Sequence, residues 1–468
     1  MNQVVYQASV AELAKLISSR EVSPVEIAEA FIARTSKVDP SLNAFITTTY
    51  DQALINAKQA ETEIVNGRYR GPLHGIPIAL KDLFWTKGIR TTSGSAITAN
   101  FIPTEDASVV TKLLQAGSYS IGKTNMVEYA YGGAEHNELY GAPLNPWDTQ
   151  RVTGGSSSGS AAAVAAGMVP LALGSDTAGS VRSPASLCGI SGLKPTYGLV
   201  SKYGVSPLSW SQDHVGPMAK TVEDLAIALD AIAGYDTRDQ SSVDQPHQIY
   251  ATSLEANLHA LRIAVPSNHI WDVMHPEVRS AFEESMKTFS GLGAKVEYLE
   301  ISELDYISIA QVAITLAEAT SYHSKMIRIH PEMYHPGVRR RIETGFFLPA
   351  NAYVDALRVR ALMAKKWASL FKTYDLIATP TNPIYAPKFG ELEVETNDGP
   401  ITTRELVRLT RLFNPNGLPS LSIPNGFSST NMPIGLQLTG NLFCDKNVLV
   451  AGHTFQQATN WHRRFPEI

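Results

Sequence analysis

VTGGSSSGSAAAVAAGMVPLALGSDTAGSVR, residues 152–182, has the composition of a flexible linker and the patterning of a protein core. It opens the segment Val152–Ala219, 68 residues with 11 glycines, 13 serines and only five charges: Asp176, Arg182, Lys194, Lys202 and Asp213. Gly/Ser-rich chains usually stay solvated and mobile. The run AAAVAAGMVPLAL demands burial instead. Its glycines stand singly or in pairs between apolar blocks, where backbones approach closely or φ turns positive. The segment therefore reads as the buried centre of a catalytic domain.

The rest of the chain supports that reading. Of 468 residues, 44% are apolar and 18% charged, with a net charge of 39 − 44 = −5. The apolar content excludes global disorder. The acidic balance argues against a polyanion partner, so no nucleic acid is expected. Two cysteines, Cys188 and Cys444, cannot build a disulfide framework or a four-cysteine zinc site, and no metal is expected. The N-terminus carries no basic region followed by an apolar one. The longest uncharged apolar run, Ala161–Gly174, is too short to span a bilayer. A cytoplasmic protein without membrane contact is the expectation.

Ser9 with Glu12, and Ser23 with Pro24 and Glu26, read as two helix starts. Strands are expected at Ile76–Leu80, Tyr119–Ile121, Val169–Leu173, Leu261–Val265, Val296–Leu299, Leu376–Thr379, Ser420–Ile423 and Ile434–Leu438. Helices are expected at Ala107–Gln115, from Thr221 to about Gly234, at Glu277–Phe289, through most of Ile309–Tyr374, and from Asp445. Alternation of this kind predicts one α/β domain over 1–468 with a mixed or parallel sheet.

Three motifs compete for the chemistry. Gly117–Thr124 fits G-x-x-x-x-G-K-[ST], a phosphate-binding pattern that would imply a nucleotide cofactor. Such a loop must follow a strand and open a helix. Here Gly117 ends a helix and the intervening residues form the strand. Gly155–Gly159 fits G-x-S-x-G with Ser157 central, yet the polar NPWDTQRVT before it is no elbow strand. His74 and His214 read as hydrogen-bonded structural residues. The third pattern uses more of the chain. Lys81-Asp82 sits at the carboxyl end of strand Ile76–Leu80, where ligands of α/β sheets gather. A Gly/Ser loop at 154–160 and a second loop at 174–182 supply serines and small residues. Nucleophile, base and oxyanion donors are the parts an acyl hydrolase needs. A lysine serves as base where burial keeps its amine neutral.

These segments resemble the amidase signature family of serine hydrolases. The matching stretches are GPLHGIPIALKD (71–82), GKTNMVEYAYGG (122–133), NPWDTQRVTGGSSSGSAAAVAAG (145–167), LGSDTAGSVRSPASLCGISGLKPTYGLVS (173–201), DHVGPMAKTVEDLA (213–226) and MPIGLQLTG (432–440). The match is densest between residues 70 and 230. The resemblance implies an amidase-signature fold, a central mixed β-sheet with helices on both faces, and no cofactor. It implies a Ser–Ser–Lys triad: Ser180 as nucleophile, Ser156 as the bridging serine that follows a cis peptide, and Lys81 as base. Amides of Thr177, Ala178, Gly179 and Ser180 would hold the oxyanion. Ala178 departs from the commoner glycine, and Thr153 stands where proline or a small residue is frequent.

Several expectations follow around that triad. Lys81 should have a depressed pKa from desolvation. Ser157, Ser158 and Ser160 should cap the following helix, and Ser175 and Ser183 should satisfy backbone groups. Asp176 and Arg182 should pair and stiffen the loop. Cys188 should be a small buried residue. Tyr131, Gly132, Gly133 and Trp210 resemble the family's pocket-lining positions.

The substrate is expected to be a small amide, ester or carbamate cleaved by a stand-alone enzyme, with a homodimer left open. The alternative is the glutaminase component of the tRNA-dependent amidotransferase, which works only with partner chains. Specificity is assigned to about 300–370, which holds Tyr322, His323 and Arg339-Arg340-Arg341. An arginine there could bind a carboxylate, although a basic run on a helix is more often a solvated face.

Overall fold

The computed structural model describes residues 5–132, 137, 139–246, 248–254, 258–396 and 399–468. Eleven strands form one sheet: β1 (Phe45–Thr48), β2 (Pro77–Lys81), β3 (Tyr119–Thr124), β4 (Leu171–Asp176), β5 (Ser191–Lys194), β6 (His214–Ala219), β7 (Arg262–Pro266), β8 (Lys295–Leu299), β9 (Leu376–Pro380), β10 (Ser420–Phe427) and β11 (Pro433–Gly440). Their spatial order is β1-β3-β2-β4-β6-β5-β10-β11-β9-β7-β8. β3, β2 and β4 run parallel, as do β9, β7 and β8, while the strands between them pair antiparallel. The sheet is mixed, as expected.

Strand alternation sorts side chains to two faces. Ile78, Leu80, Leu171 and Leu173 enter one apolar cluster, whereas Ala79 and Ala172 enter another with Ala161–Ala166 and Val169. The helix Ser158–Ala165 therefore packs on alanines, whose small side chains let it approach closely. Lys81 lies two residues beyond Ala79, on the face where that helix begins. From Val152 to Thr196 every residue except Ala178 is buried. The Gly/Ser segment is core, not linker.

Both opening helices, Val10–Ser18 and Pro24–Leu42, start with reciprocal capping boxes from Ser9/Glu12 and Ser23/Glu26. The strand expected at 169–173 instead runs Leu171–Asp176, so Ser175 and Asp176 are strand residues. β1, β5 and β6 lie outside the expected strands, for they carry no run of alternating apolar residues. Their partners, not their own pattern, make them strands. Helix Tyr50–Val65 also lies outside the expected elements; its buried residues are chiefly small alanines. Among the described residues, no helix is long and apolar enough to cross a membrane.

Candidate active site

Lys81 is the last residue of β2 and is fully buried. Its Nζ lies 2.8 Å from Ser156 Oγ, 2.8 Å from Ser175 Oγ and 3.0 Å from Ser157 Oγ. Its near neighbours are thus hydroxyls rather than carboxylates. Burial lowers its pKa from 10.5 to about 7, with Asp176 and Asp213 pulling weakly the other way. An amine of that pKa is substantially neutral at neutral pH and can take a proton.

Ser156 follows a cis Gly155–Ser156 peptide bond. Its carbonyl accepts the Val127 amide, and Ser157 N donates to the Ser180 carbonyl, which ties the two serine loops together. Ser180 is 8% exposed, against 0% for Ser156. The structure thus brings together Lys81 and Ser156 through side chains, and Ser180 through the backbone.

Two of the surrounding expectations need correction. Ser157 precedes the helix but makes no side-chain cap; its hydroxyl accepts from Lys81 and donates to the Ser175 carbonyl. Ser175 likewise contacts Lys81. Neither lysine contact is legible along the chain: that of Ser175 depends on the extension of β4 to Asp176, and that of Ser157 on the docking of the 154–160 loop against β2. Pairing of Leu80 with Leu173 is what carries Ser175 to Lys81.

The 176–182 turn is held by a buried ion pair. Arg182 Nη2 and Nε donate to Asp176 Oδ1 and Oδ2 at 2.8 and 3.0 Å. Arg182 also reaches the Thr410 carbonyl, Gln437 and Asn414. Burial pushes the Asp176 carboxyl up, but the Arg182 guanidinium overrides it and holds the group well below the usual range. Asp176 Oδ1 takes the Gly179 amide at 2.8 Å. This corrects the expected oxyanion set: the Gly179 N–H is already engaged. The amides of Thr177, Ala178 and Ser180 have no acceptor among the described residues. Gly179 has φ +128, and a Cβ there would collide with Thr410 Oγ1, whose hydroxyl donates to the Ala178 carbonyl at 2.6 Å.

A cavity of about 580 Å³ reaches Ser175 and Thr177. Trp85, Tyr197, Tyr203 and Trp210 supply aromatic wall, and Lys202 and Arg238 supply cations. Trp210 is 54% exposed. Tyr131 is buried elsewhere, with its carbonyl accepting Arg341 Nη1 at 3.0 Å and the Arg341 guanidinium over its ring. Gly132 is described beside it and half-buried, and Gly133 lies outside the described residues. The arginine run is split: Arg339 pairs with Glu343, Arg340 is exposed, and Arg341 turns to Tyr131.

Other candidates resolve simply. In the phosphate-loop pattern, Lys123 is fully buried, 3.6 Å from Asp82 and bonded to the Phe84 carbonyl and Thr91. The helix Ser108–Gln115 precedes Gly117 and β3 holds the motif, the reverse of a phosphate loop. Cys188 is buried, and burial raises its thiol pKa strongly. His74 accepts the Arg70 amide and faces Glu63.

Known proteins resemble this chain along most of its length. A family model described as Amidase matches residues 26–449. A component of the glutamyl-tRNA(Gln) amidotransferase from Azoarcus sp. (strain BH72) is 40% identical over 98% of this chain and 99% of its own. A solved structure from a vestigial protein complex, linked to the evolutionary origins of an s-triazine catabolic enzyme, superposes with TM-score 0.92. It is 35% identical, covering 96% of this chain and 98% of that one. A bacterial aryl acylamidase of the amidase signature enzymes superposes with TM-score 0.89 at 26% identity, covering 98% and 97%.

Proposed function

This chain belongs to the amidase family, and on that premise we propose that it hydrolyses a carboxylic amide through an acyl-enzyme on Ser180. The observation that carries the reading is the buried Lys81 amine, 2.8 Å from Ser156 Oγ and depressed to a pKa of about 7. Neutral Lys81 accepts the Ser156 proton as Ser156 accepts that of Ser180. Ser180 Oγ bonds to the substrate carbonyl carbon, and the oxygen gains negative charge facing the amides of Thr177, Ala178 and Ser180. Each such donor typically lowers the barrier by about 3 kcal/mol. As the C–N bond breaks, the relay returns its proton to the leaving nitrogen. Water then attacks the acyl carbon, with the same relay taking its proton. Arg182 and Asp176 keep the donor turn rigid and touch no reacting atom.

The full-length kinship to the amidotransferase component favours glutamine as the amide and partner chains as the setting. The aromatic cavity favours the other reading, a stand-alone amidase for flat groups. Ammonia release separates them. Activity on glutamine only with added partner chains assigns the first; activity of the isolated chain on simple aryl amides assigns the second. The catalytic proposal is tested by reacting the protein with a sulfonyl fluoride and mapping the adduct by mass spectrometry. Ser180 is the expected site, and an adduct on Ser157 or Cys188 would overturn it.

A further inference from the structure

Two different carboxylates hold the turn that carries the proposed oxyanion donors. Asp176 takes the Gly179 amide. Asp213, which the relay leaves unused, takes the other end. β4 and β6 pair antiparallel with Asp176 opposite His214, so the next step along sets Thr177 against Asp213. Thr177 Oγ1 donates to Asp213 Oδ1 at 2.6 Å. Asp213 Oδ2 accepts the Leu208 and Ser209 amides, each at 2.9 Å. One buried carboxylate thus ties Thr177 to the loop 207–212. That loop carries Trp210, part of the aromatic wall of the cavity. Its far side is fastened as well: Glu318, in helix Leu304–His323, accepts the Ser209 hydroxyl at 2.5 Å and the Ser211 amide at 3.2 Å. Tyr197 and Lys202 donate to the Trp210 carbonyl. A loop clamped in this way holds its shape, and Asp213 joins it to the donor turn.

We infer that Asp213 is a positioning residue that registers the Thr177 donor against the aromatic wall at Trp210. This rests on the amide-hydrolase reading above and adds a substrate preference to it. The Thr177 amide has no acceptor among the described residues, so its direction is set by how the Thr177 side chain is held. An oxyanion donor works only when it meets the oxygen at hydrogen-bond distance. A substrate with a flat group on the wall places its carbonyl at a fixed distance from that group. Asp213 sets the matching distance in the protein, so contact with the wall is converted into rate. Amides with an aromatic part near the carbonyl gain from this, and small aliphatic amides do not. Asp213 itself touches no reacting atom in this role.

The test sulfonylates Ser180 with two reagents, methanesulfonyl fluoride and phenylmethanesulfonyl fluoride. Both need the donor turn, and only the second has a ring for the wall. Rates are taken at about pH 8.5, where Lys81 stays neutral even when the weak pull of Asp213 on it is removed. Thr177→Val keeps the backbone amide but loses the bond to Asp213. It should slow both reagents about tenfold and leave their ratio as in wild type. Thr177→Ser restores the hydroxyl and should react within about twofold of wild type. Asp213→Ala frees both ends, and should slow the small reagent about tenfold and the aromatic one about 100-fold. Thr177→Val reacting at the wild-type rate, or Thr177→Ser as slow as Thr177→Val, overturns the inference. So does a wild-type reagent ratio in an Asp213→Ala protein whose circular dichroism matches wild type. If Asp213→Ala does not fold, the two Thr177 variants decide alone. Sulfonylation of the wild-type protein that never reaches Ser180 overturns the amide-hydrolase reading itself, and this inference with it.

Discussion

Replacing Lys81 with methionine should remove one proton from the unfolding reaction. In the folded protein the amine titrates at about 7, against 10.5 for an ordinary lysine. Between those values the unfolded chain binds a proton that the folded chain does not. Stability contributed by this site therefore rises with pH across the window, and the site is most destabilising below about 7. At about 1.4 kcal/mol per pKa unit, keeping Lys81 in the folded state costs about 4 kcal/mol at pH 7. Methionine of similar length avoids that cost but strands Ser156 and Ser175, at about 1 kcal/mol each, while Ser157 keeps its bonds to the Ser175 backbone. The variant should then be about 2 kcal/mol more stable at pH 7, and inactive. The proton count is the sharper measurement. Lightly buffered protein at about pH 8.8 is unfolded by a guanidinium jump, and uptake is followed with an indicator dye. Wild type should take up about one proton more than Lys81→Met. Lys123 and Lys220, lowered to about 8 and 7 by burial, contribute to both proteins and cancel in the difference. Equal counts would refute the claim that a buried, neutral lysine serves as the base.

Asp176→Asn leaves the Arg182 charge buried without its counter-ion and should cost about 3–5 kcal/mol in urea unfolding. Because the Asp176 carboxyl is held below its usual range, that difference should be full above about pH 4 and shrink as acid protonates the group. Gly179→Ala forces a side chain onto Thr410 at a φ of +128, and should slow sulfonylation of Ser180 about 100-fold by displacing the donor turn. Thiol titration of native protein at about pH 8 should count at most one reactive cysteine, Cys444; modification of Cys188 without unfolding would contradict its burial. Equilibrium dialysis with ATP should show no binding, since Lys123 is held by Asp82 and two further partners.

Much of the site is legible in the sequence because chemistry constrains residue type. A lysine at a strand end, a doublet of glycines before serines, and a second serine in a turn of small residues can all be read along the chain. So can the Asp176–Arg182 pair, since charges that close together in a segment so poor in charge must neutralise each other when buried. The strands β1, β5 and β6 cannot, because nothing in their sequence alternates; cross-strand pairing with remote partners creates them. The contacts of Ser157 and Ser175 with Lys81 depend on remote docking and pairing in the same way.

The sequence by itself determined that a charge-poor Gly/Ser segment is buried, that it resembles the amidase signature family, and which three side chains are candidates for the relay. The burial follows from composition and patterning, and the three relay residues are what the family resemblance implies; both are recorded along one dimension. Only the tertiary structure decided how many serines surround Lys81 and that Asp176 has claimed the Gly179 amide. Each depends on hydrogen-bond partners brought together from separate strands and turns. Hydrogen bonding is directional and saturable, so which groups remain free is known only when every neighbour is in place.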